Sequence, residues 1–179
     1  MSKYVALLRA VNLGGNSAIQ MERLRSLFAD LGYSDVQTLL QSGNVVFSGG
    51  KQSAEKMELS LEKEAATRLS LATVFFIRSD TEWQAVIENN PFSDEAKRDP
   101  SHLLVLFLKK EPGKTAVTAL QSAIKGPEQV RAVGRQAYIV YPAGIGRSKL
   151  TPSLLGKHIG IGTARNWNTV MKVAAVIKK

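Results

Sequence analysis

Hydrophobic and polar positions in the first 78 residues follow the periods of short strands and amphipathic helices. Apolar runs of strand length alternate with stretches in which apolar residues recur every three or four positions. The predicted elements are, in order, a strand over residues 4–10, a helix over 21–31, strands over 36–40 and 44–48, a helix over 53–69 and a strand over 72–77. Gly43 lies between the two middle strands, where a hairpin favours a residue that accepts positive φ. The order β-α-β-β-α-β is that of a ferredoxin-like unit.

The second half begins the same order again after a short helix over residues 81–88. A polar connector over residues 89–101 contains two prolines and separates the halves. The later pattern predicts a strand over 102–108, a helix over 115–124, strands over 129–133 and 136–141, and helices over 153–158 and 167–178. We therefore predict an α+β fold with two ferredoxin-like (βαββαβ-type) lobes. Each has an antiparallel sheet with helices packed on one face, and an extra helix ends the chain.

The C-terminal helix has the sharpest division between an apolar and a polar side. At 100° per residue, the apolar side of the helix consists of Trp167, Val170, Met171, Ala174 and Ile177. The polar side consists of Arg165, Asn168, Thr169 and Lys172. Trp167 is expected to anchor the core. Helix N-termini attract anions through their unpaired N–H groups and positive dipole end, so the polar side predicts an anion site. The alternative is that Asn166 or Thr163 only caps the helix.

Charge is distributed unevenly along the 179 residues, whose net charge is +9. Residues 1–90 hold 9 Lys and Arg against 10 Asp and Glu, whereas residues 91–179 hold 15 against 5. The last acidic residue is Glu128, so no later carboxylate balances Arg147 or Lys149. This asymmetry indicates an acidic partner, either nucleic acid, a phosphorylated small molecule or an acidic protein face. A basic surface that only aids solubility is the alternative.

Several other features restrict the function classes. The chain has no cysteine, which excludes disulfides, thiolate nucleophiles and cysteine-ligated metal sites. It also shows no signal peptide and no apolar run of membrane-spanning length, so we expect a cytoplasmic protein without a membrane partner. The predicted domains are residues 1–90, an N-terminal ferredoxin-like lobe, and residues 91–179, a basic C-terminal α+β lobe.

Residues with obvious catalytic chemistry are few. The two histidines, His102 and His158, have no acidic partner at ligand spacing, so no metal site and no cofactor are expected. Asp94, Glu95 and Asp99 lie in the connector, where we expect solvated side chains. The glycine-rich stretch over residues 144–149 fails the phosphate-loop frame. No catalytic residue is assigned from the sequence.

Four motifs, in order along the chain, resemble a bacterial family known as domain of unknown function 1697 (DUF1697). They are LRAVNLGGN (residues 8–16), M-x-x-L-R with LGY (21–33), QSGNVVF (41–47) and TARNWNTVMKV (163–173). The resemblance implies an α+β fold with two ferredoxin-like lobes. It implies no activity, because the family has no assigned reaction.

The motifs share hydrogen-bonding side chains without a carboxylate among them. Amides recognise bases and sugars, and arginine forks onto phosphate. We predict ligand or anion binding by Arg9, Asn12, Asn16, Ser42, Asn44, Arg147, Lys149, Arg165, Asn166, Asn168 and Lys172. The favoured function is binding of a phosphate-bearing ligand, with nucleic acid foremost. The alternatives are an enzyme acting on a small phosphorylated or nucleotide-like substrate, and a protein-interaction module using an exposed strand edge. Whether the motifs meet in one polar cleft is a hypothesis.

Overall fold

A computed structural model describes residues 1–9, 17–40 and 43–179 of the chain, with the side chains of residues 17–20 excepted. The chain divides into two compact units. The first unit is Met1–Ala85 together with Val173–Lys179, and the second is Val86–Lys172. The C-terminal segment thus groups with the first unit, whereas the sequence places all of residues 91–179 in the second lobe.

The first unit has the predicted β-α-β-β-α-β order. Its elements are β1 (Ser2–Leu8), α1 (Ser17–Asp30), β2 (Ser34–Leu39), β3 (Asn44–Gly49), α2 (Ala54–Leu69) and β4 (Phe75–Ser79), with α3 (Asp80–Glu88) following directly. All pairings are antiparallel and the strand order is β2-β3-β1-β4. This is the order of a split βαβ unit, in which β3 lies between β1 and β2.

The core of the first unit lies between one face of this sheet and helices α1 and α2. Alternate residues of β1, β3 and β4 face the helices, as the period of a strand requires. The buried side chains include Tyr4, Ala6, Leu8, Leu24, Phe28, Val45, Phe47, Leu61, Phe75 and Ile77. Phe28 and Tyr33 both contact the Phe47 ring, with centroids 5.0 and 4.8 Å away. Aromatic packing therefore joins α1 to the centre of the sheet.

The hairpin between β2 and β3 confirms the role predicted for Gly43. Its φ is +73°, and a Cβ added there would lie 2.9 Å from the Cβ of Leu8. The backbone N–H of Leu8 donates to the Gly43 carbonyl at 2.8 Å. Glycine is required here both for its backbone angle and for the close approach of β1.

The second unit repeats the architecture of the first. Its elements are α4 (Ser93–Arg98), β5 (Leu103–Leu108), α5 (Lys114–Ala123), β6 (Gln129–Val133), β7 (Gln136–Val140), a 3₁₀ turn (Ile145–Arg147), α6 (Pro152–Ile159), β8 (Gly162–Asn166) and the start of α7 (Trp167–Ile177). The strand order β6-β7-β5-β8 corresponds position by position to that of the first sheet. Its core packs Leu120 of α5 and Leu155 of α6 against Leu106 and Ile139 of the sheet.

Two elements of the second unit differ from those expected. The stretch before the last helix is a strand, β8, whereas the sequence pattern predicts β-α-β-β-α-α without it. The polar connector also contains a short helix, α4. β8 completes the second ferredoxin-like sheet by pairing with β5. The predicted fold class of two α+β lobes with an extra C-terminal helix is confirmed.

The extra helix α7 buries the apolar stripe predicted for it, with one exception. Trp167, Val170, Ala174 and Ile177 are buried, whereas Met171 is 44% exposed. Val173 is fully buried, and Met171 lies to the other side of Val170 on the helical wheel. The apolar stripe is therefore shifted toward Val173.

Candidate anion-binding site

Antiparallel pairing brings several strand ends of the second unit to one edge of its sheet. β5 begins at Leu103 opposite Val140, the last residue of β7, and β6 begins at Gln129 opposite the same residue. Leu104 lies opposite Asn166, the last residue of β8. We call this edge the loop end of the second sheet. The segments that meet there are residues 99–102, the residues that precede β6, residues 142–149 (the basic loop) and the first turn of α7.

The basic loop presents two cations to solvent. It follows β7, turns at Gly144 with a φ of +82°, and ends before Leu150. Arg147 and Lys149 are both exposed, while Ser148 between them is half-buried. Ser148 Oγ accepts from the backbone N–H of Leu150 at 3.0 Å. This hydrogen bond fixes the backbone on either side of Lys149.

A carboxylate does reach the basic loop, contrary to the expectation from the sequence. Ser148 Oγ donates a short hydrogen bond to Glu128 Oε1. Glu128 precedes β6, whose first residue lies at the loop end. From the sequence we expect no carboxylate to balance Arg147 and Lys149, because Glu128 is the last acidic residue, but antiparallel pairing brings Glu128 alongside Ser148. Its carboxylate also contributes, after burial, to raising the pKa of Tyr141 to about 12.

Two helices begin at the loop end of the second sheet. α6 follows the basic loop directly, with Thr151 Oγ1 accepting from the backbone N–H of Leu154 at 3.2 Å and Pro152 in the first helical position. α7 follows β8, and Asn166 Oδ1 accepts from the backbone N–H of Thr169 at 2.9 Å. Helix N-termini carry positive partial charge, so both add to the field of Arg147 and Lys149. Asn166 has the capping role given as its alternative.

Arg165 lies on β8 opposite Val105 and not on the polar side of α7. Its Nη1 donates to Thr163 Oγ1 at 2.7 Å and to the Ala164 carbonyl at 2.9 Å. Partial burial lowers the pKa of its guanidinium to about 10, which leaves it charged at neutral pH. The prediction that Arg165 shares a helical face with Asn168 and Lys172 is therefore wrong. Asn168 and Lys172 are exposed on α7.

The predicted residues of the first unit divide into a described and an undescribed group. Arg9 is exposed just after β1, and its backbone carbonyl accepts from Thr73 Oγ1 at 2.9 Å. Asn44 is fully buried, and its Nδ2 donates to the Leu39 carbonyl at 3.1 Å. Asn12, Asn16 and Ser42 lie outside the described residues. The single polar cleft therefore stays a prediction.

An acid–imidazole pair that sequence reasoning missed lies at the loop end. Asp99 Oδ2 is 2.6 Å from His102 Nδ1, within a turn closed by the bond from the His102 N–H to the Asp99 carbonyl at 3.2 Å. The sequence of this turn is Asp-Pro-Ser-His. Asp at the first position and Pro at the second are typical of a type I turn, and that signal could have placed the two side chains together. The Asp99 side chain is 46% exposed, as expected for a solvated carboxylate, but the expectation that His102 has no acidic partner is wrong.

The described residues provide neither a metal cluster nor a membrane span. Among residues 1–9, 17–40 and 43–179, no three His, Asp or Glu side chains come together in a way that could hold a metal ion. No helix in the same ranges is long and apolar enough to cross a membrane.

The two sheets define the class of the protein as an α+β protein with two ferredoxin-like lobes. The family model described as "Protein of unknown function (DUF1697)" matches residues 1–138, and the chain belongs to this family. A solved structure, described as that of the conserved bacterial protein SP0830 from Streptococcus pneumoniae, is similar with a TM-score of 0.74. It is 22% identical, and the match covers 98% of each chain. This likeness supports the fold alone. No curated protein matches the chain significantly.

Proposed function

We propose that this protein binds a phosphate-bearing ligand, with nucleic acid favoured, through the exposed basic surface of its second unit. The observation that carries the proposal is the charge of the two units. The second unit holds 13 Lys and Arg against 6 Asp and Glu, whereas the first holds 11 against 9. The two units have the same sheet order, so the fold itself does not require this difference.

The distribution of the basic side chains favours a polyanion over a small anion. Exposed cations occur on α4, in the segments after β5 and around α5, on β6, in the basic loop, and on α6 and α7. The exposed cations of the second unit are Lys97, Arg98, Lys110, Lys114, Lys125, Arg131, Arg147, Lys149, Lys157 and Lys172. A small phosphorylated molecule would meet only a few of these groups. Nucleic acid could contact many, because each nucleotide carries a phosphate.

The centre of the proposed surface is the loop end of the second sheet. Arg147 can fork onto a phosphate, and Lys149 supplies a mobile point charge beside it. The first turn of α7 adds the exposed amide of Asn168, which can orient a base or sugar, and Lys172 lies one turn further on. Arg165 contributes positive charge from the strand that leads into this turn.

Fluorescence anisotropy with a labelled single-stranded RNA tests the proposal. The variant Arg147→Ala/Lys149→Ala removes both cations of the basic loop. Loss of two phosphate contacts is expected to weaken binding by about tenfold or more at moderate salt.

The matched control is Lys110→Ala/Lys114→Ala, which removes the same charge from the opposite end of the second sheet. Both residues are exposed, and they follow the C-terminal end of β5. This control is expected to weaken binding less than the loop variant. Equal losses in the two variants would show that the loop end is not the centre of the surface, and a wild-type protein that binds no RNA would contradict the proposed function.

A further inference from the structure

His102 is held at the loop end by a turn that fixes both its backbone and its ring. Its carbonyl accepts from the backbone N–H of Tyr141 at 2.9 Å, which ties the turn to the end of β7. On the ring, Nδ1 lies 2.6 Å from Asp99 Oδ2, which is an ion-pair distance. The geometry between the two side chains is not that of a hydrogen bond. The carboxylate thus occupies the Nδ1 side and leaves Nε2 as the nitrogen that can face a ligand.

Asp99 is itself oriented by a second contact. Ser101 Oγ donates to Asp99 Oδ1 at 2.7 Å, so each carboxylate oxygen has a partner. The pKa of Asp99 is lowered, first by the hydrogen bond from Ser101 and also by the positive charge of His102 when the imidazole is protonated. The carboxylate is therefore ionised at neutral pH and can stabilise an imidazolium that forms beside it.

The Nε2 side of His102 faces the basic loop. A Cβ added at Gly144 would lie 3.6 Å from Nε2, so the loop passes beside this nitrogen where it has no side chain. The His102 side chain is 40% exposed, and no described residue hydrogen-bonds to Nε2. Arg147 and Lys149 follow within the same loop. A phosphate that is bound by these cations and also reaches Nε2 would meet an oriented imidazole that can take up a proton.

We propose that His102 is the general base of a phosphodiester hydrolase site at the loop end, with Asp99 as its positioning residue. The inference rests on the proposed function, because the basic loop must hold the phosphate. His102 Nε2 takes a proton from water, the water oxygen bonds to phosphorus, and the bond from phosphorus to the leaving oxygen breaks. The leaving oxygen takes a proton from solvent and His102 releases its own to solvent, so a diester and water yield a monoester and an alcohol.

The basic loop and Asp99 have different tasks in this step. Arg147 and Lys149 stabilise the negative charge that builds on the non-bridging phosphate oxygens. Asp99 fixes the ring and stabilises the imidazolium, the division of labour between acid and imidazole known from hydrolytic triads. Ser101 acts on Asp99 and does not touch the substrate.

Hydrolysis of bis(p-nitrophenyl) phosphate, followed by release of p-nitrophenol, tests the inference. His102→Gln is expected to lower kcat by about 100-fold or more, the usual contribution of a general base. The matched control is His158→Gln, which alters the other histidine of the chain, on α6, and should keep the wild-type rate. His102→Asn, with a smaller amide, is a second variant in case His102→Gln does not fold, and melting curves identify folded variants.

Two further measurements are needed. The first distinguishes a positioning role of Asp99 from a purely structural one, and the second distinguishes the proposed hydrolysis from the proposed binding of nucleic acid. Asp99→Asn should lower kcat with little change in KM, and Asp99→Glu should recover part of kcat. Labelled single-stranded RNA should still bind His102→Gln, and unlabelled RNA should inhibit ester hydrolysis at concentrations near its Kd. An absence of hydrolysis in the wild type, or equal rates in wild type and folded His102→Gln, would overturn the inference. RNA binding would then decide the proposed function separately.

Discussion

Amide side chains in this protein serve the backbone more than the sequence motifs suggest. Asn44 is fully buried and closes the hairpin by donating to the Leu39 carbonyl, and Asn166 caps α7. Short amide side chains compete well for nearby backbone groups, which is why they favour turns and helix ends. Asn168 is exposed on α7, and its role in ligand binding stays a prediction.

Two buried tyrosines make the free energy of unfolding depend on pH in the alkaline range. Burial raises the pKa of both Tyr138 and Tyr141 to about 12, and Tyr138 Oη donates to the Val86 carbonyl at 2.6 Å. The value in an unfolded chain is about 10. The folded state thus favours the neutral phenols, and the stability they contribute is fully present below about pH 10 and lost as pH rises to about 12.

The variant Tyr138→Phe tests this dependence. It should lower the free energy of unfolding at neutral pH by about 1 kcal/mol through the lost hydrogen bond. Because phenylalanine does not ionise, the variant should lose less stability than the wild type between about pH 10 and 12. Urea unfolding at several pH values measures the difference. Parallel pH profiles for the two proteins would contradict this account of Tyr138.

At the scale of elements, the strand β4 shows how an edge of the first sheet is protected. Among the described residues, β4 pairs with a strand on one side only, and that strand is β1. On the other side, Glu62 Oε1 of α2 accepts from the backbone N–H of Phe75 at 3.0 Å, and Glu58 Oε1 accepts from that of Ile77 at 2.8 Å. Glu58 and Glu62 are one helical turn apart and therefore reach alternate residues of the strand. The carboxylates occupy donors that would otherwise template another strand.

Removing one of these carboxylates should expose the edge. Glu62→Ala is expected to lower the free energy of unfolding by about 1–3 kcal/mol, because the Phe75 N–H loses its acceptor. Glu62→Gln keeps a carbonyl oxygen in the same place and should recover part of the loss. Chemical denaturation measures both variants. If Glu62→Ala and Glu62→Gln were equally stable, the hydrogen bond to β4 would not be what Glu62 contributes.

Elements with strong local signals could be predicted from the sequence, and β8 could not. The first unit has long apolar periodicities, and its order of elements follows from them. β8 has five residues, of which only Thr163 is buried, and it runs directly into the apolar face of α7. Its strand form depends on pairing with β5, more than fifty residues earlier in the chain. No local pattern reports such a distant partner.

Some features of the candidate site could likewise be predicted from the sequence, and others could not. Charge is a property of composition, so the basic second half and the importance of Arg147 and Lys149 could be proposed from residues alone. The positions of Glu128 and of Arg165 depend on strand register and could not. The Asp99–His102 pair could have been predicted, because the sequence Asp-Pro-Ser-His is typical of a type I turn. Spacing rules for metal ligands do not describe such a pair.

At the scale of the whole molecule, one sheet topology occurs twice with different surface charge. Both sheets have their core between one face and two helices, which accounts for folding. The excess of seven positive charges on the second unit has no counterpart in the first, whose excess is two. The acidic partner proposed above would account for this excess, because it would offset the self-repulsion of clustered positive charge.

The salt dependence of nucleic-acid binding tests the central claim most directly. Wild-type protein is titrated into labelled single-stranded RNA, single-stranded DNA and duplex DNA across a series of salt concentrations. Contacts to about four or five phosphates predict that the logarithm of the binding constant falls with the logarithm of salt concentration at a slope of about −3 to −5. Absence of binding to all three probes at low salt, or binding that does not depend on salt, would contradict the claim that the basic second unit is a nucleic-acid surface.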